Sequence, residues 1–302
     1  MKWRAPGAFL VVAVLWGSSW ILTPSLPEPS MLAGAARFAI AAVLLGAVAA
    51  ASMMRNRGNR NRETVPWAPS IVLGLTLTGL PFALAVWAKD LVSAGVVAVL
   101  YAAMPLMALF FGWKVSDVPG KIPVMAVGLG GVALLAAQGI DYSARQLGGV
   151  LLLGAAVALG AFSLNYAKGR IRPGHILISC AIQCAAGSVL LLFLSGAEGI
   201  PAPANWSGAS VASLSVLAAA EGVIAFPLLF WLLSRIEAWQ AASLQWLTTL
   251  VAVAEAGMVL RAKPTLQMGS GAAIIVVALL WLMKSDEASA DATGAVTLQI
   301  TK

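Results

Sequence analysis

The stretch "VLAAAEGVIAFPLLFWLL" (residues 216–233) carries one ionisable side chain, Glu221, midway along the apolar block 208–233 that contains it. A carboxylate in hydrocarbon costs several kcal/mol, so it needs a task or a partner. No Lys or Arg of the other apolar blocks shares its depth. Glu221 could meet an ammonium group, carry a proton, or stay protonated and hydrogen-bond a neighbouring helix. Arg37 and Glu255 each lie a few residues inside one end of their blocks. Their equal depth predicts a structural ion pair between them. Tyr101 lies near mid-depth in its block, with Met104 on the same helical face and Ala98 leaving space beside it. In "WGSSW" (residues 16–20), Trp16 and Trp20 share a face while Gly17, Ser18 and Ser19 permit close helix contact.

Other chemistry is excluded. Ser18 and Ser19 have no base to activate them, because the only histidine, His175, opens a distant block. HExxH and GxxxxGK[ST] are both missing, and no His, Asp or Glu cluster has ligand spacing. The reading is therefore a chain that is not an enzyme, with no metal and no cofactor. Cys180 and Cys184 sit four apart in one apolar block, where packing explains them better than a disulfide.

The elements that must position these residues are apolar blocks. Of 302 residues, 60% are hydrophobic and 10% charged, far too little polar surface for a soluble domain of this size. Ten blocks have the length of membrane helices, at about 20 residues each. They cover 7–23, 31–53, 67–88, 92–113, 121–138, 146–167, 175–195, 208–233, 239–260 and 266–283. The fold class is all-α and integral to the lipid bilayer. Pro81, Pro105 and Pro227 interrupt blocks in their interiors, and Trp3, Trp67, Trp113, Trp206, Trp239 and Trp281 fall at block ends as an interfacial belt.

Net charge is +7, concentrated in gaps such as "RNRGNRNRE" (55–63) and "KGRIR" (168–172). These runs lack the interleaved aromatics of a nucleic-acid site, so no nucleic acid is expected as a partner. With ten spans they fall on the side of both termini, while only Lys89, Arg145, Arg261 and Lys263 fall opposite. That places both termini in the cytoplasm. Residues 285–302 read as a disordered cytoplasmic tail.

The chain also repeats. A shift of 144 lays "FALAVWAKDLVSAGVVAVLYAAMPLMA" (82–108) on "FPLLFWLLSRIEAWQAASLQWLTTLVA" (226–252), matching Phe82 with Phe226 and Trp87 with Trp231. It sets Gln245 opposite Tyr101, with Trp246 adjacent. Residues 1–140 and 141–284 are then two repeats of five helices each. Five is odd, so the repeats are inverted in the membrane, a symmetry that transporters use to expose a midplane site alternately to each side. A ring and an amide facing each other across the pseudo-axis would suit an aromatic zwitterion. Packing alone is the other account of Trp246.

"WGSSW" in the first helix, "ARF" (36–38) in the second and "YAAMPLMALFFG" at the end of the fourth occur in an order and spacing that resemble the drug/metabolite transporter superfamily in its ten-helix, EamA-type form. Within it the chain is most similar to the YddG-type exporters of aromatic amino acids. The resemblance implies a secondary transporter or facilitator in the bacterial cytoplasmic (inner) membrane, working as a monomer, with an aromatic amino acid as its small-molecule substrate. Other amino acids, purines or cationic drugs are the alternative cargo. The chain departs from the family's pattern where Thr249 replaces a second proline, and where "GWKVSD" and "VLRAKP" replace glutamate-bearing helix ends. The candidate substrate-binding residues are Trp16, Ser19, Trp20, Phe82, Tyr101, Met104, Glu221, Gln245 and Trp246.

Overall fold

The computed structural model describes residues 4–22, 26, 30–55, 64–112, 118–135, 143–196, 206–259, 266–267 and 269–281. Among these residues there are ten helices and no strand. In order they are α1 (Arg4–Gly17, resumed at Ser19–Leu22), α2 (Ser30–Arg55), α3 (Trp67–Ala88), α4 (Ala94–Ala102 and Met104–Phe111) and α5 (Val118–Leu135). Then follow α6 (Ala144–Ala167), α7 (Pro173–Ser195), α8 (Gly208–Leu233), α9 (Ala238–Ala242 and Leu244–Val259) and α10 (Gly269–Trp281). Helices α2, α3, α6, α7 and α8 are each long and apolar enough to cross a membrane, and α1, α4, α5 and α10 are shorter apolar helices. The arginine-rich run at 56–63 and the tail at 285–302 lie outside the described residues.

Serines start three of these helices. Ser93, Ser143 and Ser207 each accept the N–H three residues on, at the N-termini of α4, α6 and α8. Such a cap satisfies a donor that hydrocarbon could not, and its loss costs about 1 kcal/mol.

The interior prolines reshape helices without ending them. Proline has no N–H to donate, and its ring crowds the carbonyl one turn back. In α3 the turns before Pro81 widen into a π-helix, Gly74–Gly79, and in α8 the turns before Pro227 do the same at Ala218–Ala225. These π segments begin 144 residues apart, as do the N-caps Ser93 and Glu237 of α4 and α9. Ahead of Pro105, α4 breaks at Ala103. The break in α9 falls at Ser243, one turn earlier than that offset would place it. No proline stands at Thr249 to fix it there.

Small residues set the packing. Helix α2 lies along α7, where the Ser188 hydroxyl donates to the Ala35 carbonyl at 2.8 Å. Helix α3 packs on α6 and α7, α1 on α8 and α9, and α4 on α6. A side chain at Gly74 would strike the Gln183 backbone, and one at Gly17 would strike Val251. Backbone approach of this kind is what small residues contribute in membranes, where burial gives little drive for association. Gln183 donates to Thr78 across α7 and α3 at 2.8 Å, and Asn165 donates to the Ala108 carbonyl across α6 and α4 at 2.8 Å. Both amides therefore bridge helices. Cys180 and Cys184 are free and buried. Trp239 is buried too, with the Lys121 ammonium 4.8 Å from its ring centroid, so it does not belong to an interfacial belt.

Candidate functional site

Between α1, α2, α3, α4, α6, α8 and α9 lies a cavity of about 320 Å³. Trp16 and Ser19 reach it from α1, Arg37 and Phe38 from α2, and Thr78, Pro81 and Phe82 from α3. Tyr101 and Met104 line it from α4, Glu221 and Phe226 from α8, and Gln245 from α9. Both π segments contribute, with Thr78 in one and Glu221 in the other. A π turn carries an extra residue per turn and often marks a functional stretch of helix.

The charged centre of this cavity differs from the sequence expectation. Arg37 pairs with Glu221, Nη1 to Oε2 at 3.0 Å, and not with Glu255. The physical reason is side-chain reach. Gly222 seats directly against Ala41, so Glu221 stands one helical turn from Arg37 along α2. An extended arginine spans about one turn, roughly 5–6 Å of rise. Depth counted along straight rods misses both that reach and the π turn. Glu255 instead accepts a hydrogen bond from Ser18 at 2.6 Å.

Aromatic rings surround the pair. The Arg37 guanidinium lies 4.7 Å from the Phe38 centroid and 5.1 Å from that of Phe82. The two rings meet edge to face at 5.8 Å. Trp16 and Phe226 form a second edge-to-face pair on the cavity wall at 6.1 Å. Partly desolvated cation–π contacts stabilise by about 1–2 kcal/mol, and they hold a planar cation in a fixed plane. Both side chains of the ion pair are 13% exposed and both line the cavity. Removing one partner would leave an uncompensated charge, at a cost of about 3–5 kcal/mol. The Arg37 guanidinium still has N–H groups without a partner among the described residues, Nε included.

Of the nine candidate residues, seven line this one cavity: Trp16, Ser19, Phe82, Tyr101, Met104, Glu221 and Gln245. The side chain of Trp20 lies outside the described residues. Trp246 does not line the cavity. It is fully buried, its indole N–H donates to the Ala102 carbonyl at 2.9 Å beside the break in α4, and its ring covers Gly128. Its one polar group is already satisfied, so packing accounts for it. Sequence reading missed Phe38 and Phe226 as wall residues, although each adjoins a signal it did use, Arg37 and Pro227.

A bundle of apolar helices enclosing a chamber with one ion pair defines a class, the multi-pass membrane proteins built around an internal cavity. The model of the EamA-like transporter family matches the chain twice, over residues 4–137 and 146–284, and the chain belongs to that family. It is a transporter by membership. It is 29% identical over 285 residues to the uncharacterized transporter YvbV of Bacillus subtilis (strain 168), covering 90% of this chain and 88% of that one. A crystal structure of a protein 19% identical superposes with a TM-score of 0.70, over 91% of this chain and 95% of that chain. Identity that low speaks for the fold alone.

Proposed function

We propose that this transporter exports aromatic amino acids across the bacterial cytoplasmic membrane, by alternating access around the cavity of Arg37 and Glu221. The observation that carries the reading is an intramembrane Arg–Glu pair set in an aromatic-walled chamber. An amino acid presents a carboxylate and an ammonium on one carbon. In the proposed bound state the substrate carboxylate takes the unused N–H groups of Arg37 and the ammonium takes Glu221, so neither protein charge is left unpaired. The ring of the substrate then lies among Trp16, Phe82, Tyr101 and Phe226. A volume of about 320 Å³ stands at the lower end of ligand pockets, roughly 300–1,000 Å³, which suits one amino acid.

The alternating-access part of the reading is supported by the offset of 144 shared by the π segments and the N-caps, and by the double match of the family model. We take residues 1–140 and 141–284 as inverted five-helix repeats, with both termini in the cytoplasm. Pairing of Glu221 with Arg37 argues against organic cations as cargo, since a cation would have to displace a guanidinium already in place.

Uptake of labelled phenylalanine into proteoliposomes preloaded with unlabelled phenylalanine tests the reading. Accumulation abolished by excess tryptophan is expected. Intact vesicles with active, correctly inserted protein and no accumulation would refute the substrate.

A further inference from the structure

A groove of about 540 Å³ lies where α1, α7 and α8 meet. Gly7 and Val11 line it from α1, Ile176 from α7, and Pro227, Leu228 and Trp231 from α8. Gly7 and Val11 are exposed, so the groove opens on the outer face of the bundle. Glycine at position 7 helps to form it, because a Cβ added there would meet no atom within 4 Å. The same two helices, α1 and α8, bring Trp16 and Phe226 to the transport cavity.

One end of the groove carries a fixed cation. The exposed Arg235 guanidinium lies 3.7 Å from the centroid of the Trp231 ring. Its Nη1 donates to the Trp231 carbonyl at 3.1 Å and to the Ser234 hydroxyl at 2.9 Å. The N–H groups on Nε and Nη2 have no acceptor among the described residues, and no carboxylate pairs with Arg235 there. Glu237, two residues on, is taken by Lys168 at 2.8 Å. Nε and Nη2 together form a planar fork that fits two oxygens of one phosphate. Arg170 on Tyr166 repeats the local arrangement, with Nη1 on the Tyr166 carbonyl and the guanidinium 4.3 Å from the ring centroid. There the ring stacks on Phe162 at 5.7 Å, whereas Trp231 lines the groove.

In a bilayer the groove meets lipid tails, which are as apolar as its lining, so the lining alone selects no lipid. Selection has to come from the charged end. Arg235 follows α8 directly, with Trp231 one turn deeper and Pro227 about one turn deeper still. That is the order of phosphate and then chain in a phospholipid standing in its leaflet. We propose that the groove binds one anionic phospholipid, with its phosphate on Nε and Nη2 of Arg235 and an acyl chain along Trp231, Pro227 and Gly7. A zwitterionic lipid carries the same phosphate but brings its own ammonium to it, so the arginine gains less. Basic side chains at the ends of transmembrane helices select anionic headgroups in this way. The inference holds whatever the transporter carries.

Lipid retention tests this. The full-length protein is held in detergent micelles with equal amounts of phosphatidylglycerol and phosphatidylcholine of the same chains, and bound lipid is read by native mass spectrometry. The wild type is expected to retain one lipid, phosphatidylglycerol over phosphatidylcholine by about fivefold, the factor one arginine contributes toward an anionic lipid. Arg235→Gln should bring that ratio to about one, and Arg170→Gln should leave it as it is. Gly7→Trp places a ring in the groove and should lose both lipids, with the unfolding temperature in lipid-free detergent unchanged. Inorganic phosphate added at the lipid concentration should displace neither. Equal retention of the two lipids by the wild type would overturn the proposal. So would a preference that survives Arg235→Gln or is lost in Arg170→Gln, full retention by Gly7→Trp, or displacement by phosphate, which would mark a site for free anions.

Discussion

Arg37 of α2 and Glu221 of α8 face each other at 3.0 Å inside the bundle, between the rings of Phe38 and Phe82 and the cavity. The helices approach closely enough for this because Gly222 has no side chain to hold Ala41 away. In the proposed site this pair serves both stability and recognition, and mutation can separate the two.

Arg37→Gln and Glu221→Gln should each strand the other charge and lower the thermal unfolding temperature of the purified protein. The expected cost of either is about 3–5 kcal/mol. The double variant removes both charges and should recover most of that loss, because the pair couples strongly. Transport should be absent in all three. Thermal unfolding in detergent and phenylalanine counterflow read the two effects independently. Transport by the double variant would remove the pair from the recognition site.

Gly222→Val should be worse than an ordinary surface change in a helix. Even the first carbon added there meets Ala41, and neither backbone can yield without separating α2 from α8. Overpacking of this kind costs about 1–3 kcal/mol, and here it also draws Glu221 from Arg37. Lower thermal stability together with reduced counterflow is the expected result, measured beside Gly148→Val, where an added side chain meets open space.

Selectivity should respond to Gly160. A methyl at that position presses on the terminal methyl of Met104, at 2.9 Å, and since both residues line the cavity the change narrows it there. Gly160→Ala should fold as the wild type does and carry phenylalanine, while tryptophan, with its larger ring, competes less well. Competition curves for the two amino acids show the difference. Unchanged curves would place the ring of the substrate away from Met104.

Trp246→Phe should separate packing from recognition in the opposite sense. It removes the hydrogen bond to the Ala102 carbonyl and the outer part of the indole ring that covers Gly128. Stability should fall by more than the roughly 1 kcal/mol of one hydrogen bond, because the fully buried ring also leaves a cavity, with substrate preference unchanged. An altered ranking of phenylalanine and tryptophan would return Trp246 to the site.

The architecture was legible because hydropathy and breakers carry it. The blocks at 67–88 and 208–233 coincide with α3 and α8 end to end, and the offset of 144 that aligns Phe82 with Phe226 also relates the two π segments. Most of the cavity wall was legible for the same reason, since polar and aromatic residues at mid-depth have few places to go. The ion pair was not. Its partner depends on how far Arg37 reaches and on how closely Gly222 lets α8 approach, and hydropathy contains neither quantity. Trp246 was misplaced because Tyr101 and Gln245 point to the cavity, while their neighbour points one residue around the helix into the packing against α5.

The most direct test of the Arg37–Glu221 site is competition for labelled phenylalanine counterflow by three unlabelled molecules at one concentration. Tryptophan carries both charges, phenethylamine only the ammonium, and 3-phenylpropanoate only the carboxylate. The ion-pair site predicts that tryptophan abolishes counterflow and that neither single-charge analogue does, because each would leave Arg37 or Glu221 unpaired. Inhibition by phenethylamine equal to that by tryptophan would contradict it, and would make the cavity a site for aromatic cations in which Arg37 takes no part.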